Sequence, residues 1–159
     1  AEAFLDYLST NRIKDKENHT AVYTVWTNEN GGCVDDVLVF KENRNHFFVI
    51  VNAGNRGKDL AHVLKYAENF DVKIYDLYHD EGILALQGPK SLQLIRDLFP
   101  DTAILRPFQF VRTTFRGGPI IISRTGYTGE NGVEICAPIA LLGALWDQLL
   151  LDGEKYGIR

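Results

Sequence analysis

Strand-like and helix-like segments follow one another in an order that constrains the fold of this chain more than any single motif. Segments rich in β-branched and aromatic residues come in groups of three, flanked by amphipathic stretches. The first group predicts a helix at 1–9, strands at 21–28, 33–40 and 46–52, and a helix at 55–69. The order then recurs as a helix at 90–99, strands at 108–115, 119–124 and 132–137, and a helix at 138–151.

Two further strands, at 72–77 and 82–87, are expected to bridge the two sets. The sequence therefore predicts an α+β fold with mainly antiparallel sheets, made of two α-β-β-β-α units at about 1–70 and 88–153. The apolar stripe of the helix at 55–69 is predicted to consist of Leu60, Val63, Leu64 and Ala67. Pro89 is expected in the first turn of the helix that follows it, where its missing N–H does no harm.

Composition excludes several classes of protein. The chain has 159 residues, of which 45% are hydrophobic and 24% charged, as in ordinary globular domains. A net charge of −4 argues against a nucleic-acid partner, which would require a basic face. The longest apolar runs, at 47–51 and 139–146, fall well short of the ~18 residues of a membrane span. The four histidines lack metal-ligand spacing, and we expect Cys33 and Cys136 to be free thiols.

The two ends of the sequence predict a piece of a longer protein. No Met is present, and the first residues already have helical periodicity without a capping residue before them. At the other end the chain stops just after a predicted helix. We therefore expect an internal fragment, in which no targeting segment is visible.

Asp35 and Asp36 are the first candidates for chemistry. Adjacent residues of a strand point to opposite faces, so at most one of the two carboxylates faces a cavity. Val34, Val37 and Val39 break the strict alternation, and the pattern does not decide which aspartate points inward. A solvated hairpin end is the commoner explanation of such a pair, and a buried acid–base group is the rarer one.

Polar and aromatic residues on the predicted strands form a second candidate set. Rings with a few amides and carboxylates suit a flat heteroaromatic ligand, although aromatic residues favour strands in any case. The glycines at 126–132 lie between two strands, which favours a tight turn with positive φ over a phosphate-binding loop. The candidate set comprises Tyr23, Trp26, Asn52, Tyr127 and Glu134.

Five blocks of this sequence resemble the glycine cleavage system aminomethyltransferase (T-protein) family. They occur in the family's order over nearly the whole chain, and the last is the most specific. They are YT at 23–24, NENGGCVDD at 28–36, VNAGN at 51–55 with KD at 58–59, ALQGP at 85–89, and SRTGYTGENGVEI at 123–135.

The resemblance implies a folate-binding aminomethyltransferase fold and a transferase of one-carbon groups. Such an enzyme takes the methylene of an aminomethyl group from the lipoyl arm of H-protein, passes it to tetrahydrofolate and releases ammonia. Methylenetetrahydrofolate is the product, and the partners are the lipoylated H-protein and folate, without nucleic acid or membrane. The implied compartment is the cytoplasm of a bacterium or the mitochondrial matrix of a eukaryote.

The resemblance also assigns residues. Asp36 matches the family's essential aspartate beside the pteridine, and Arg124 matches a motif arginine that is either structural or adjacent to the ligand. The folate-surrounding positions of the family fall on Tyr23, Asn52, Tyr127 and Glu134, with Val51 flanking them. No metal site is implied.

Two alternatives share much of this resemblance. Folate domains of sarcosine and dimethylglycine dehydrogenases, and related demethylases, accept one-carbon groups from other donors. A non-catalytic folate-binding factor of iron–sulfur assembly typically carries Lys-Gly-Cys and lacks the aspartate motif, whereas this chain has Asp35-Asp36 and no Lys-Gly-Cys. The family's N-terminal segment, its glutamate-tail arginine region and its C-terminal domain are expected outside these residues, so we expect the piece alone to be inactive.

Overall fold

The computed structural model describes residues 1–159 and divides into two units, Ala1–Asp76 and Leu77–Arg159. The first unit contains helix α1 (Glu2–Leu8), strands β1 (Thr20–Thr27), β2 (Cys33–Lys41) and β3 (Phe47–Ile50), and helix α2 (Arg56–Ala67). The second contains β4 (Glu81–Gln87), α3 (Ser91–Leu98), β5 (Phe110–Phe115), β6 (Gly118–Ser123), β7 (Gly132–Pro138) and α4 (Ile139–Gly153). None of these helices combines the length and apolar composition of a membrane-spanning segment.

The first unit is an antiparallel sheet in the order β1-β2-β3 with helical cover over its apolar face. Alternate residues of β1 and β2 point into one core, as the period of a half-buried strand requires. Residues of α1 fill the same core, and Val63, Tyr66 and Ala67 of α2 pack against it. The buried members of this core are Phe4, Leu5, Leu8, Ile13, Val22, Trp26, Val37 and Val39.

The second unit is a four-stranded antiparallel sheet in the order β4-β7-β6-β5. Val133, Ile135 and Ala137 lie on one face of the central strand β7 and belong to the core that α3 and α4 cover. The opposite face of β7 carries Glu134 and Cys136, which are also buried. The predicted α+β fold with mainly antiparallel sheets is confirmed.

Two predicted strands need correction. Residues 72–77 are not a strand, although Val72 and Ile74 are half-buried and pack on the first core as the alternation predicted. Alternation predicts which side chains turn inward, but a strand also requires a neighbouring ladder, and this segment has none. The strand at 82–87 exists as β4, but it pairs with β7 and is an edge of the second sheet, so it does not bridge the two units.

Two details of the helices also differ from expectation. In α2, Leu64 is 48% exposed, and the inward face instead carries the buried Asp59. Pro89 lies two residues before α3, whose first residue is Ser91. The Gly88 carbonyl accepts hydrogen bonds from both the N–H and the Oγ of Ser91, which begins the helix in place of a proline.

Candidate functional site

The Asp35-Asp36 pair lies on β2, and its carboxyl groups point to opposite faces of the first sheet. Asp35 is opposite the buried Trp26, whereas Asp36 is opposite Val25. Asp35 is only 3% exposed, and Asp36 is exposed to solvent. The structure thus decides what the sequence pattern left open: Asp35 is the inward member of the pair.

A β-bulge explains why the valine pattern was ambiguous. Trp26 pairs with Asp35, but the next residue, Thr27, pairs with Cys33, so Val34 has no partner in β1. An inserted residue shifts the alternation of faces by one. Val34 therefore packs against the core beside Asp35, and its carbonyl accepts a hydrogen bond from Nζ of Lys58 on α2.

Asp35 is held by three hydrogen bonds from the segment after β3. Nδ2 of Asn52 donates to Oδ1 at 3.0 Å, Nδ2 of Asn55 donates to the same oxygen at 2.7 Å, and the N–H of Asn52 donates to Oδ2 at 3.3 Å. Burial is the largest single influence on the Asp35 pKa and raises it. Hydrogen bonds from Asn52, Asn55 and Asp59 together outweigh burial, and the Asp35 pKa lies below its ordinary value.

Asp36 is on the solvent face between two partners. The hydroxyl of Tyr23 on β1 donates to Oδ2 at 2.9 Å. Nδ2 of Asn52 donates to the Asp36 carbonyl at 3.0 Å and lies 3.5 Å from Oδ1. The hydrogen bond to Asp36 raises the pKa of the Tyr23 phenol. Three of the predicted residues, Tyr23, Asp36 and Asn52, therefore form one cluster with an accessible carboxylate.

Asp59 lies in the first turn of α2 and is 1% exposed. No N–H or O–H group reaches either of its oxygens, and its interacting neighbour is the Asp35 carboxyl group. Burial, followed by the hydrogen bond and the negative charge of Asp35, raises the pKa of Asp59 to about 7. Two interacting carboxyl groups inside a protein cannot both ionise without a large cost in free energy, which is why the pKa of Asp59 rises while the hydrogen-bonded Asp35 keeps a lowered pKa.

In the second unit, Glu134 lies on β7 opposite Ser123 of β6. Its Oε2 accepts a hydrogen bond from Oγ1 of Thr125. The Ser123 Oγ lies 2.7 Å from the Thr125 Oγ1, and it donates to that oxygen because the Thr125 hydrogen is already committed to Glu134. The Glu134 carboxylate is thus fixed by a chain of two hydroxyl groups.

The glycine-rich segment between β6 and β7 is a tight turn, as predicted. Gly126 and Gly129 have φ of +147° and +80°, which favour glycine. The Gln87 side chain spans the turn, since its Nε2 donates to the carbonyls of Thr125 at 3.3 Å and Val133 at 3.0 Å. A Cβ on Gly126 would lie 2.5 Å from Oε1 of Gln87, so a larger residue there would displace the Gln87 amide from the turn.

The remaining predicted residues have different surroundings. Arg124 donates from Nη1 to the Leu105 carbonyl at 3.1 Å and from Nη2 to Oδ1 of Asn131 at 3.3 Å, so its guanidinium braces the glycine-rich turn. Tyr127 is 95% exposed at the tip of that turn. Val51 is half-buried and packs against the core of the first unit. This packing anchors the backbone next to Asn52, and the Val51 side chain itself makes no polar contact.

Asn55 and Asp59, which complete the Asp35 cluster, lie within the VNAGN and KD blocks, but the sequence assigned a role to neither. A signal for Asp59 was present, because it precedes Val63 by four residues and so lies on the same face of the helix. A carboxylate on the inward face of an amphipathic helix indicates a buried polar partner. No periodicity indicates the role of Asn55, which depends on how the segment after β3 folds back onto β2.

A solved structure shares this fold. The crystal structure of the glycine cleavage system aminomethyltransferase T from Bartonella henselae superposes with a TM-score of 0.85 at 30% identity. That match covers 94% of this chain and 40% of the other chain. The fold is therefore that of the T-protein class.

The sequence profile of the GCVT N-terminal domain matches residues 1–159, and the chain belongs to this family. Among curated relatives, the aminomethyltransferase of Chlorobium limicola is 39% identical over 162 residues, covering 100% of this chain and 45% of its own length. The aminomethyltransferase of Alkaliphilus oremlandii is 36% identical over 161 residues, covering 100% of this chain and 44% of its own length. The chain thus spans less than half the length of these relatives.

Proposed function

We propose that the whole protein containing this chain is a tetrahydrofolate-dependent aminomethyltransferase of the glycine cleavage system. It moves the methylene of an aminomethyl-lipoyl carrier to tetrahydrofolate and releases ammonia. The observation that carries this proposal is the match of the entire chain to proteins named aminomethyltransferase. The Asp35-Asp36 pair, embedded in an ordered cluster, supports it over the non-catalytic folate-binding alternative.

The Tyr23–Asp36–Asn52 cluster has the groups that a pterin requires. The Asp36 carboxylate is accessible and its two neighbours fix its direction, so it can accept hydrogen bonds from the amino and ring N–H groups of a pterin. The ring of Tyr23 is half exposed beside it, which suits contact with a flat heteroaromatic ligand. In this assignment Val51 supports the Asn52 backbone from below.

Tetrahydrofolate supplies the nitrogen nucleophile that accepts the methylene. The chain's own contribution is electrostatic. Positive charge grows on the methylene carbon as ammonia leaves, and the fixed Asp36 carboxylate stabilises that charge. Preorganised groups are effective because they do not have to reorient during the reaction. In this proposal Asp36 is the catalytic residue, and Tyr23 and Asn52 hold its direction.

In the second unit, the family resemblance assigns Glu134 and Tyr127 as folate contacts. The Glu134 carboxylate is fixed through Thr125, which suits a hydrogen-bond acceptor of set direction. Tyr127 is exposed at the tip of a turn, where its ring is accessible to a ligand. We assign Arg124 a bracing role, because both of its hydrogen-bonded groups belong to the surrounding loops.

The proposed macromolecular partner is the lipoylated H-protein, which delivers the aminomethyl group. The compartment proposed with this function is the bacterial cytoplasm or the mitochondrial matrix. Neither a nucleic acid nor a membrane has a part in the proposed reaction.

A reconstituted transfer assay tests the proposal. The full-length protein is mixed with H-protein bearing an aminomethyl-lipoyl group and with tetrahydrofolate, and ammonia and methylenetetrahydrofolate are measured. We expect equal amounts of both products, and none with H-protein that lacks the lipoyl group. The exposed Asp71→Asn variant serves as a matched control for Asp36→Asn. Turnover of sarcosine or dimethylglycine without H-protein would contradict the proposal.

A further inference from the structure

Asp59 is a buried acid that the proposed reaction does not use. It contacts Asp35, and Asp35 in turn is bound twice by Asn52, whose amide also lies against Asp36. A continuous path of polar contacts therefore leads from the first turn of α2 to the exposed carboxylate on the other face of β2. Asp59 is the innermost member of this path.

The proton balance of the pair is set by its surroundings. The Asp35 oxygens already accept three N–H groups from Asn52 and Asn55, which favours the ionised form of Asp35. No donor reaches Asp59, so its ionised form would be buried without compensation. The protonation state of lowest free energy has a neutral Asp59 whose O–H points to an ionised Asp35.

We infer that Asp59 is a positioning residue whose neutral carboxyl group donates a hydrogen bond to Asp35 and so keeps Asn52 aligned against Asp36. This role rests on the proposed function, since Asp36 is the residue that meets the folate there. When Asp59 loses its proton, the hydrogen bond becomes a repulsion between two carboxylates. Asp35 and the Asn52 amide then lose their fixed direction.

The groups that face Asp59 agree with this assignment. On β2 the facing group is Asp35, whose negative charge raises the pKa of Asp59. On α2 the positive charge of Lys58 lowers that pKa, but by less than Asp35 and burial raise it. One turn further along α2 is His62, whose pKa is lowered by burial and by the charge of Lys65. His62 is therefore neutral at pH 7 and does not stabilise an ionised Asp59.

The test uses the full-length protein with Asp59→Asn, Asp59→Ala and the exposed control Asp71→Asn. Asparagine keeps an N–H donor toward Asp35 and cannot ionise, whereas alanine removes the donor. We expect the wild-type Kd for tetrahydrofolate to rise about tenfold between pH 6 and pH 8.5, the size expected for one charged hydrogen bond. Asp59→Asn should bind with the wild-type affinity of pH 6 at both pH values, and Asp59→Ala should bind weakly at both.

A second readout requires no folate. The folded wild-type protein holds one more proton than the unfolded chain between about pH 4 and pH 7, so its folding equilibrium constant falls about tenfold per pH unit relative to Asp59→Asn. A pH-independent folate affinity in the wild type, together with this difference in stability, would overturn the positioning role alone. An equal pH dependence of stability in the wild type and in Asp59→Asn would overturn the inference that Asp59 keeps its proton in the folded protein. Absence of folate binding at every pH would overturn the proposed function and the positioning role together.

Discussion

Asn52 binds Asp35 from two directions, through its backbone N–H to Oδ2 at 3.3 Å and through Nδ2 to Oδ1 at 3.0 Å. The two bonds attach the segment after β3 to the core face of β2. The same amide also reaches Asp36 on the other face. The two adjacent aspartates therefore have separate tasks, one structural and buried, the other exposed and available to a ligand.

Asp36→Asn in the full-length protein is expected to lower aminomethyl transfer about a hundredfold or more, as when a preorganised charge-stabilising group is lost. Its unfolding free energy should change little, because the side chain is exposed. Asp35→Asn should instead lower the unfolding free energy by about 1–3 kcal/mol, since an amide cannot accept all three N–H groups. Urea unfolding and the transfer assay measure the two effects. A stable, inactive Asp35→Asn beside a fully active Asp36→Asn would reverse the assignment.

Much of the fold follows from local pattern. The strands β1, β2, β6 and β7 and the helices α2 and α4 have the periodicity of their class, and the sequence predicted their positions closely. The segment at 72–77 shows where this reasoning fails. Its alternation is real, but strand formation depends on a partner that is distant in sequence, and local pattern contains no information about pairing.

The candidate site was predictable in part for the same reason. The motif located Tyr23, Asp36 and Asn52, which the structure brings together. The inward direction of Asp35 was not predictable, because a one-residue bulge at Val34 reverses the alternation. The raised pKa of Asp59 depends on a contact between α2 and β2, and no spacing along the chain predicts that contact.

Gly132→Ala should destabilise the glycine-rich turn. A Cβ at this position would lie 2.3 Å from Cδ of Gln87, so the amide must leave its contacts with the Thr125 and Val133 carbonyls. Losing these bonds is expected to lower the unfolding free energy by about 1–3 kcal/mol. The matched control is Gly57→Ala on α2, where nothing lies within 4 Å, and a gain of up to about 1 kcal/mol is expected. Equal effects of the two substitutions in urea unfolding would contradict the bracing role of Gln87.

Asp6 should make the first unit sensitive to acid. Its Oδ1 accepts the N–H groups of Ile13 at 2.7 Å and Lys14 at 2.9 Å. The hydrogen bond from Lys14, together with that from Ile13 and nearby positive charge, lowers the Asp6 pKa despite partial burial. Its stabilisation is therefore complete above the unfolded pKa, near 4, and is lost as the pH falls through the lower folded pKa.

Asp6→Asn tests this dependence when unfolding free energies are compared from pH 7 down to pH 2.5. The variant is expected to be about 1–3 kcal/mol less stable than the wild type at pH 7, and the difference should shrink in acid. Asp71→Asn, at an exposed position, should show no such convergence. A difference between wild type and Asp6→Asn that stays constant over the whole range would show that the Asp6 charge has no part in the effect.

The two cysteines should differ sharply in reactivity. Cys33 is exposed at the start of β2, whereas Cys136 is buried on β7, where burial and the charges of Glu81 and Glu134 raise the thiol pKa to about 12. At pH 8 the Cys136 thiol is then almost entirely protonated, and the thiolate is the reactive form. A thiol reagent should label one cysteine quickly in the folded protein and the second only after unfolding. Cys33→Ser should remove the fast reaction and leave the slow one, and rapid labelling of both thiols in the folded wild type would contradict the burial of Cys136.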